Sequence, residues 1–297
     1  MKKDNGTHRI RKGILAVFMN LILIIFSLSC IFPMIWMLYS SLKEKRAFNA
    51  DIVGLPKNPT LINYIRILSN SDYHLGESMF NSVRTTTLSI ILIVLFSFIV
   101  GYILARVHFK GNRALYVMFL MGMLIPIHSL LVPIYVVFKK CGISDQWYTL
   151  LLPYVSFGLP MGIFLVEGYV KTIPVSLEEA AAIDGLDTYR IFVKIILPLS
   201  KPIIATMCLF YIVTMWNEWF TPMLYLDSKD KWPIALYVRQ LVEGANNTEV
   251  GSSADASSVQ ATLKSATMVL TSIPIICIYP FVQKYFVQGM TIGAVKG

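Results

Sequence analysis

Apolar residues gather along this chain into six long runs, at 14–39, 85–105, 114–137, 150–170, 203–226 and 266–287, with polar stretches between them. Each run approaches the roughly 20 residues a helix needs to cross about 30 Å of hydrocarbon. The pattern therefore predicts an all-α integral membrane protein of six transmembrane helices. It divides the chain into a short head at 1–13, a six-span domain at 14–287 and a tail at 288–297. The head resembles a signal peptide in having a basic start and an apolar core. Its apolar run continues past Cys30 through Ile31, Phe32, Met34, Ile35 and Trp36 without a small-residue cleavage pattern, so an uncleaved first span is expected.

Between the runs, Leu61, Tyr64, Ile65 and Leu68 recur at helical spacing and predict a short amphipathic helix. The stretch 227–265 contains ALYVRQLVEG before turning polar, and reads as a hairpin reaching away from the bilayer. Six spans put both termini on one side. The head carries Lys2, Lys3, Arg9, Arg11 and Lys12, and the loop after the second span carries Arg106, Lys110 and Arg113. The excess of basic residues marks the cytoplasmic side, so both termini are expected there. Lys43, Lys45 and Arg46 follow the first span and oppose that assignment.

Composition agrees with a membrane location. Hydrophobic residues make up 56% of the chain, charged residues 14%, and mean hydropathy is +0.63. The net charge of +9 sits largely beside apolar spans, where it orients them and meets anionic lipid, so no nucleic-acid partner is expected. Cys30, Cys141, Cys208 and Cys277 are too scattered for a disulfide framework or a metal site, and the four histidines are equally dispersed.

One stretch resists the membrane. Residues 174–202 hold Glu178, Glu179, Asp184, Asp187, Arg190, Lys194 and Lys201. Near a helix centre each would cost about 2.5 to 3.5 kcal/mol. This loop between spans four and five must therefore lie in water, on the cytoplasmic side. Pro174 breaks the preceding helix, Ser176 can cap a new one, and Glu179 stands at the capping-box position. Ala180, Ala181 and Ala182 favour helix and leave a face nearly bare, and Gly185 can end it in the left-handed conformation. Asp187 can start a second helix with an apolar face of Tyr189, Ile191, Phe192, Ile195 and Ile196, and Pro198 and Pro202 mark the return to the bilayer. The expected product is two short helices jointed at a glycine.

This loop resembles the cytoplasmic signature of the membrane subunits of ATP-binding-cassette importers: Glu-Ala-Ala, three residues, Gly, nine residues, Ile-x-Leu-Pro. Here the matching residues are Glu179, Ala180, Ala181, Gly185, Ile195, Leu197 and Pro198. The resemblance implies a coupling helix that seats in a cleft of an ATPase subunit, with Glu179, Ala180, Ala181, Gly185, Leu197 and Pro198 as the coupling element. Pro59, Thr60, Asn63 and Tyr64, the Asn81-Ser82 pair, Trp216-Asn217-Glu218 and the ending QKYFVQGMTIGAVKG are similar to the carbohydrate-uptake branch, in particular its second, maltose-type membrane subunit.

The family implies a permease in a bacterial or archaeal cytoplasmic membrane. Its expected partners are a second homologous permease subunit, two ATPase subunits, an extracytoplasmic sugar-binding protein and membrane lipid. No G-x-x-x-x-G-K-[ST] sequence occurs, so the chain is expected to be no enzyme and to hold no cofactor; ATP and magnesium belong to the ATPase subunits. The tail at 288–297 would reach toward those subunits.

A sugar path needs aromatic faces with amide or carboxylate groups. Tyr211, Met215, Asn217 and Glu218 are candidates, with Tyr211, Met215 and Glu218 on one helical face. Trp216 and Trp219 read as anchors at the membrane interface. Glu167, near the end of span four, is either a functional acid or a carboxylate ion-paired at the surface. Pro126, Pro133, Pro153, Pro160 and Pro274 allow bends within spans. Polyols, sugar acids and glycerol phosphate are alternative cargoes. A secondary transporter would need coupling-ion acids or inverted repeats, which are not evident.

Overall fold

The computed structural model describes residues 5–69, 74–248 and 261–280, and among them every regular element is helical. The tail at 288–297 lies outside the described residues. In order the helices are α1 (Asn5–Ser41), α2 (Lys45–Ala50), α3 (Ile62–Ser69), α4 (Leu75–Arg106), α5 (Asn112–Gly122), α6 (Ile127–Cys141), α7 (Leu151–Val170), α8 (Val175–Ile183), α9 (Thr188–Leu199), α10 (Lys201–Trp216), α11 (Phe220–Tyr225), α12 (Ile234–Thr248) and α13 (Ala261–Pro280). Four of these are singly long and apolar enough to cross a membrane: the Gly13–Ser41 portion of α1, α4, α7 and α13. The bent pairs α5 with α6, at 91°, and α9 with α10, at 68°, raise the number to as many as six.

The chain forms two compact units, Met1–Asn70 with Val242–Leu270 and Ser71–Leu241 with Thr271–Gly297. In the first unit, the Thr60, Asn63 and Tyr64 pattern fastens the loop after α1 to the end of that helix. The Thr60 amide donates to the Leu42 carbonyl at 2.8 Å, and the Asn63 amide donates to the Ser41 and Lys43 carbonyls at 2.8 and 2.9 Å. The Tyr64 and Ser41 hydroxyls share a 2.6 Å hydrogen bond. Lys43 is buried, donating to the Asp51 and Ile52 carbonyls at 2.7 and 3.2 Å. The short helix expected from Leu61, Tyr64, Ile65 and Leu68, along the membrane or against the spans, is present as α3. Asn63 and Ile67 are buried, while Leu61, Ile65 and Leu68 point outward, because the amide of Asn63 satisfies the backbone at the end of α1.

The second unit is organised by close contact of α4 with α7. A Cβ on Gly162 would lie 2.2 Å from Ser97 Oγ, one on Gly158 2.5 Å from Ile93 Cδ1, and one on Gly101 2.8 Å from Val166 Cγ1. Glycines let two backbones approach where lipid supplies no hydrophobic drive between helices. Tyr211 of α10 joins them, its hydroxyl donating to the Gly158 carbonyl at 2.8 Å. Ile93, Phe98, Val166, Val170, Met207 and Tyr211 are the buried centre.

Two long apolar runs are broken rather than continuous. The run at 114–137 parts ahead of Pro126, which has no amide proton to continue the α5 ladder. Within the run at 203–226 the helix stops at Trp216, where Asn217 caps it, and helix resumes in α11. The expected hairpin after it begins instead as α12, with Ile234, Leu236 and Tyr237 buried, because that stretch carries an apolar helical face.

Candidate functional site

The charged stretch after α7 folds as two short helices. Pro174 precedes the first turn of α8, with its φ of −58° already near that of a helix. Ser176 is the second residue of α8, two positions past the cap at Pro174, so it does not serve as the expected cap. The far end is closed by backbone alone. Gly185 has φ +85°; its amide donates to the Ala182 carbonyl and the Leu186 amide to the Ala181 carbonyl, both at 3.0 Å. These two bonds are a Schellman closure, which requires a left-handed residue at the Gly185 position. Asp187 then caps α9, accepting from the Arg190 amide at 2.8 Å. Phe192–Ile196 winds as a single wide π turn before Leu197 and Pro198.

The signature residues divide by direction. Glu179, Ala180, Ala182 and Gly185 are exposed, as is Ile183 at 87%. Ala181 is buried in the core cluster, Leu197 is half-buried and Pro198 exposed. On α9, Ile191 and Ile196 are buried, but Tyr189 is 73% exposed and does not belong to the expected inward face. The loop thus presents a carboxylate, small side chains and uncovered apolar residues, Ile183 and Tyr189 the most exposed of them, together.

Three residues not expected from the sequence hold the loop to the spans. Arg106 Nε donates to Glu178 Oε1 at 2.5 Å, and a terminal nitrogen of Arg106 donates to the Ile173 carbonyl at 2.7 Å. The Tyr102 hydroxyl donates to Glu178 Oε2 at 3.0 Å. Arg106 and Glu178 are counted readily as charges, but a pairing across 72 positions leaves no local periodic signal. Glu167 is buried and ion-paired with Lys171 one turn on, the surface pairing among its two readings.

The candidates of the substrate path are less gathered. Tyr211 and Met215 are buried on α10. Asn217 is exposed and turns its amide to the Val213 carbonyl at 2.7 Å. Glu218 lies beyond the helix end, so it does not continue the Tyr211 and Met215 face. Its Oε1 accepts from the Phe220 and Thr221 amides, each at 2.9 Å, and starts α11. His128, at the start of α6, stacks edge-on against Phe220 with centroids 5.6 Å apart. Trp216 is buried with its indole donating to the Thr271 carbonyl at 3.3 Å, which is not the environment of an interface anchor. Trp219 lies under the Arg239 guanidinium, 3.2 Å from ring centre to Cζ.

Between α6 and α7, Asp145 gathers the loop that follows α11. It accepts from the Asp227 and Ser228 amides, both at 3.1 Å, from the Ser228 hydroxyl at 2.5 Å and from Lys231 Nζ at 3.2 Å. Burial works against its ionisation, but the Ser228 hydrogen bonds and the Lys231 charge outweigh it and hold the carboxyl below its ordinary pKa. Among the described residues no group of His, Cys, Asp and Glu side chains could hold a metal ion.

A helical membrane chain with a glycine-closed loop of this kind has the features of a membrane transport subunit. Residues 97–292 match the family described as the binding-protein-dependent transport system inner membrane component, and the chain belongs to it. Its members are transport permeases, not enzymes. The chain is 34% identical over 283 residues to the Bacillus subtilis polygalacturonan/rhamnogalacturonan transport system permease protein YtcP, covering 93% of this chain and 96% of that one. It is 29% identical over the full length of both chains to the multiple sugar-binding transport system permease protein MsmG of Streptococcus mutans. Among solved structures it resembles a bacterial ABC transporter involved in import of the acidic polysaccharide alginate, with TM-score 0.79, 25% identity, and 96% of this chain and 100% of that chain covered.

Proposed function

We propose that this chain is one of two permease subunits of an ATP-driven carbohydrate importer, forming half of the translocation pathway. Both termini lie in the cytoplasm, the bent pair of α5 with α6 counts as one span and α10 as another, and the chain crosses the membrane six times. The loop at 174–202 is the coupling element. Glu179, Ala180 and the Gly185 closure meet an ATPase subunit, Ala181 holds the helix against the spans, and Leu197 and Pro198 set the return to the bilayer. A second permease, two ATPase subunits carrying ATP and magnesium, and an external binding protein complete the machine.

The observation that carries this reading is the outward Glu179-Ala180 face of α8, closed by a left-handed Gly185, in a chain of this family. A flat helical face with small side chains admits close backbone approach, and a glutamate on it suits a basic residue of the partner. Asn217 and Glu218, at the break between α10 and α11, with Tyr211 and Met215 behind them, form the substrate side. Non-helical backbone at membrane depth is tolerated where it lines a cavity or is covered by protein. The cargo is an oligosaccharide, and the relatives named for polygalacturonan and alginate make uronic acid oligomers the first to test.

The chain would be co-expressed with its neighbouring permease, ATPase and binding-protein genes. The ATPase is expected to co-purify with the wild-type permease and to be lost with Glu179→Arg. Titration calorimetry on the binding protein would compare oligogalacturonates with neutral oligosaccharides, polyols and glycerol phosphate. Retention of the ATPase by Glu179→Arg would refute the docking role, and a binding protein that takes only a non-carbohydrate would refute the substrate class.

A further inference from the structure

The coupling loop is joined covalently to α7 and α10, yet its tightest polar attachment is to α4. Arg106 is the last residue of α4, and its planar guanidinium reaches across 67 positions of sequence to the Ile173 carbonyl and onward to Glu178. It therefore holds the entry to α8 and the middle of α8 in a single rigid fork. Both side chains of the ion pair are only 12% exposed, so salt screens it weakly. Tyr102, one turn earlier on α4, donates to the other oxygen of Glu178 and packs its ring against Phe192 of α9, centroids 5.1 Å apart at 55°. The last turn of α4 thus grips both helices of the loop. The covalent links to the neighbouring spans are, by contrast, a turn at 171–173 and the 68° bend at Ser200.

We infer that Arg106, Glu178 and Tyr102 are positioning residues forming a rigid joint that passes displacement of the coupling loop into α4. The inference rests on the proposed function, since it assumes that an ATPase moves the loop. From α4 the displacement enters the core through the contacts of Gly101 with Val166 and of Ser97 with Gly162, where no slack remains for one helix to move alone. Glu178 and Glu179, adjacent in sequence, then have opposite duties: one faces the partner and the other faces the spans.

The test uses the assembled importer in lipid vesicles with tritiated oligogalacturonate, and reads sugar imported per ATP hydrolysed. Glu178→Gln and Arg106→Gln are each expected to lower that ratio about fivefold or more, the lower edge of ordinary site-to-site coupling. The exchanged pair, Arg106→Glu with Glu178→Arg, is expected to regain part of the loss. A second measurement leaves the joint intact. Spin labels at the exposed positions Val107 and Lys194, with the native cysteines replaced, should keep one separation with and without ATP. Single variants that import as efficiently as wild type would overturn the inference, as would a label separation that changes with nucleotide. Failure of the underlying function would register differently, as wild-type vesicles that import no carbohydrate while the label separation still reports on the joint.

Discussion

Replacement of Gly185 by valine tests the coupling loop without touching any side-chain contact. A Cβ at this position meets nothing within 4 Å in this chain. The cost within the chain lies in the backbone, because φ is +85°. An L-residue in the left-handed region pays about 1 to 2 kcal/mol, and a β-branched one lies at the upper end of a range of about 1 to 3 kcal/mol. About 2 kcal/mol is roughly a 30-fold shift in population away from the closed Schellman turn. Opening that turn releases the Gly185 and Leu186 amides from the Ala182 and Ala181 carbonyls and re-aims α9 relative to α8. Asparagine tolerates the left-handed region, so a series of Asn, Ala and Val should show graded loss of sugar imported per ATP in vesicles, with membrane insertion unchanged. Equal transport by Gly185→Val and wild type would refute the argument. So would an asparagine variant as impaired as valine, because backbone strain would then not be the cause.

Gly162→Ala should destabilise the α4 and α7 pair by about 1 to 3 kcal/mol, since its Cβ would fall 2.2 Å from Ser97 Oγ; Ser97→Gly should restore much of this in a double-mutant cycle of thermal unfolding in detergent. Tyr211→Phe should cost about 0.6 kcal/mol, and at most about 1.7, in the same assay, by leaving the Gly158 carbonyl without its donor. Asp145 has a folded pKa depressed below its ordinary 3.8, so its stabilisation is present above the unfolded value and lost as pH falls through the folded one. Asp145→Asn should therefore lower thermal stability at neutral pH, and the gap from wild type should close as pH drops below about 4.

The apolar runs are legible because each is a long, one-dimensional signal, and among the described residues four single helices are long and apolar enough to span a membrane, or as many as six with the bent pairs. The loop at 174–202 is legible for the converse reason: seven charges in a membrane chain have one affordable location. Its glycine closure is readable from Gly185 alone, since a left-handed helix end favours that residue. Some contacts leave no such signal. Asn63 fastens α3 to the backbone at the end of α1, a three-dimensional demand with no periodicity. Glu218 looked like a continuation of the Tyr211 face because the apolar run does not stop at Trp216, although the helix does. The Arg106 and Glu178 joint was invisible for want of any local pattern linking residues so distant in sequence. Lys43, an apparent exception to the basic bias of the cytoplasmic loops, is folded into carbonyls in the finished protein.

The wide turn at Phe192–Ile196 gives the arithmetic of the loop a geometric meaning. An extra residue accommodated inside a helix advances the chain by most of a third of a revolution without lengthening it by a full step. The nine residues between Gly185 and Ile195 are therefore a setting of angle as much as of distance. Deleting Phe192 or Val193 within that turn would leave the charges and both ends of the motif in place. It would nonetheless swing the re-entry point of α10 around the axis of α9, so the spacing in this family's signature works as a protractor rather than a ruler.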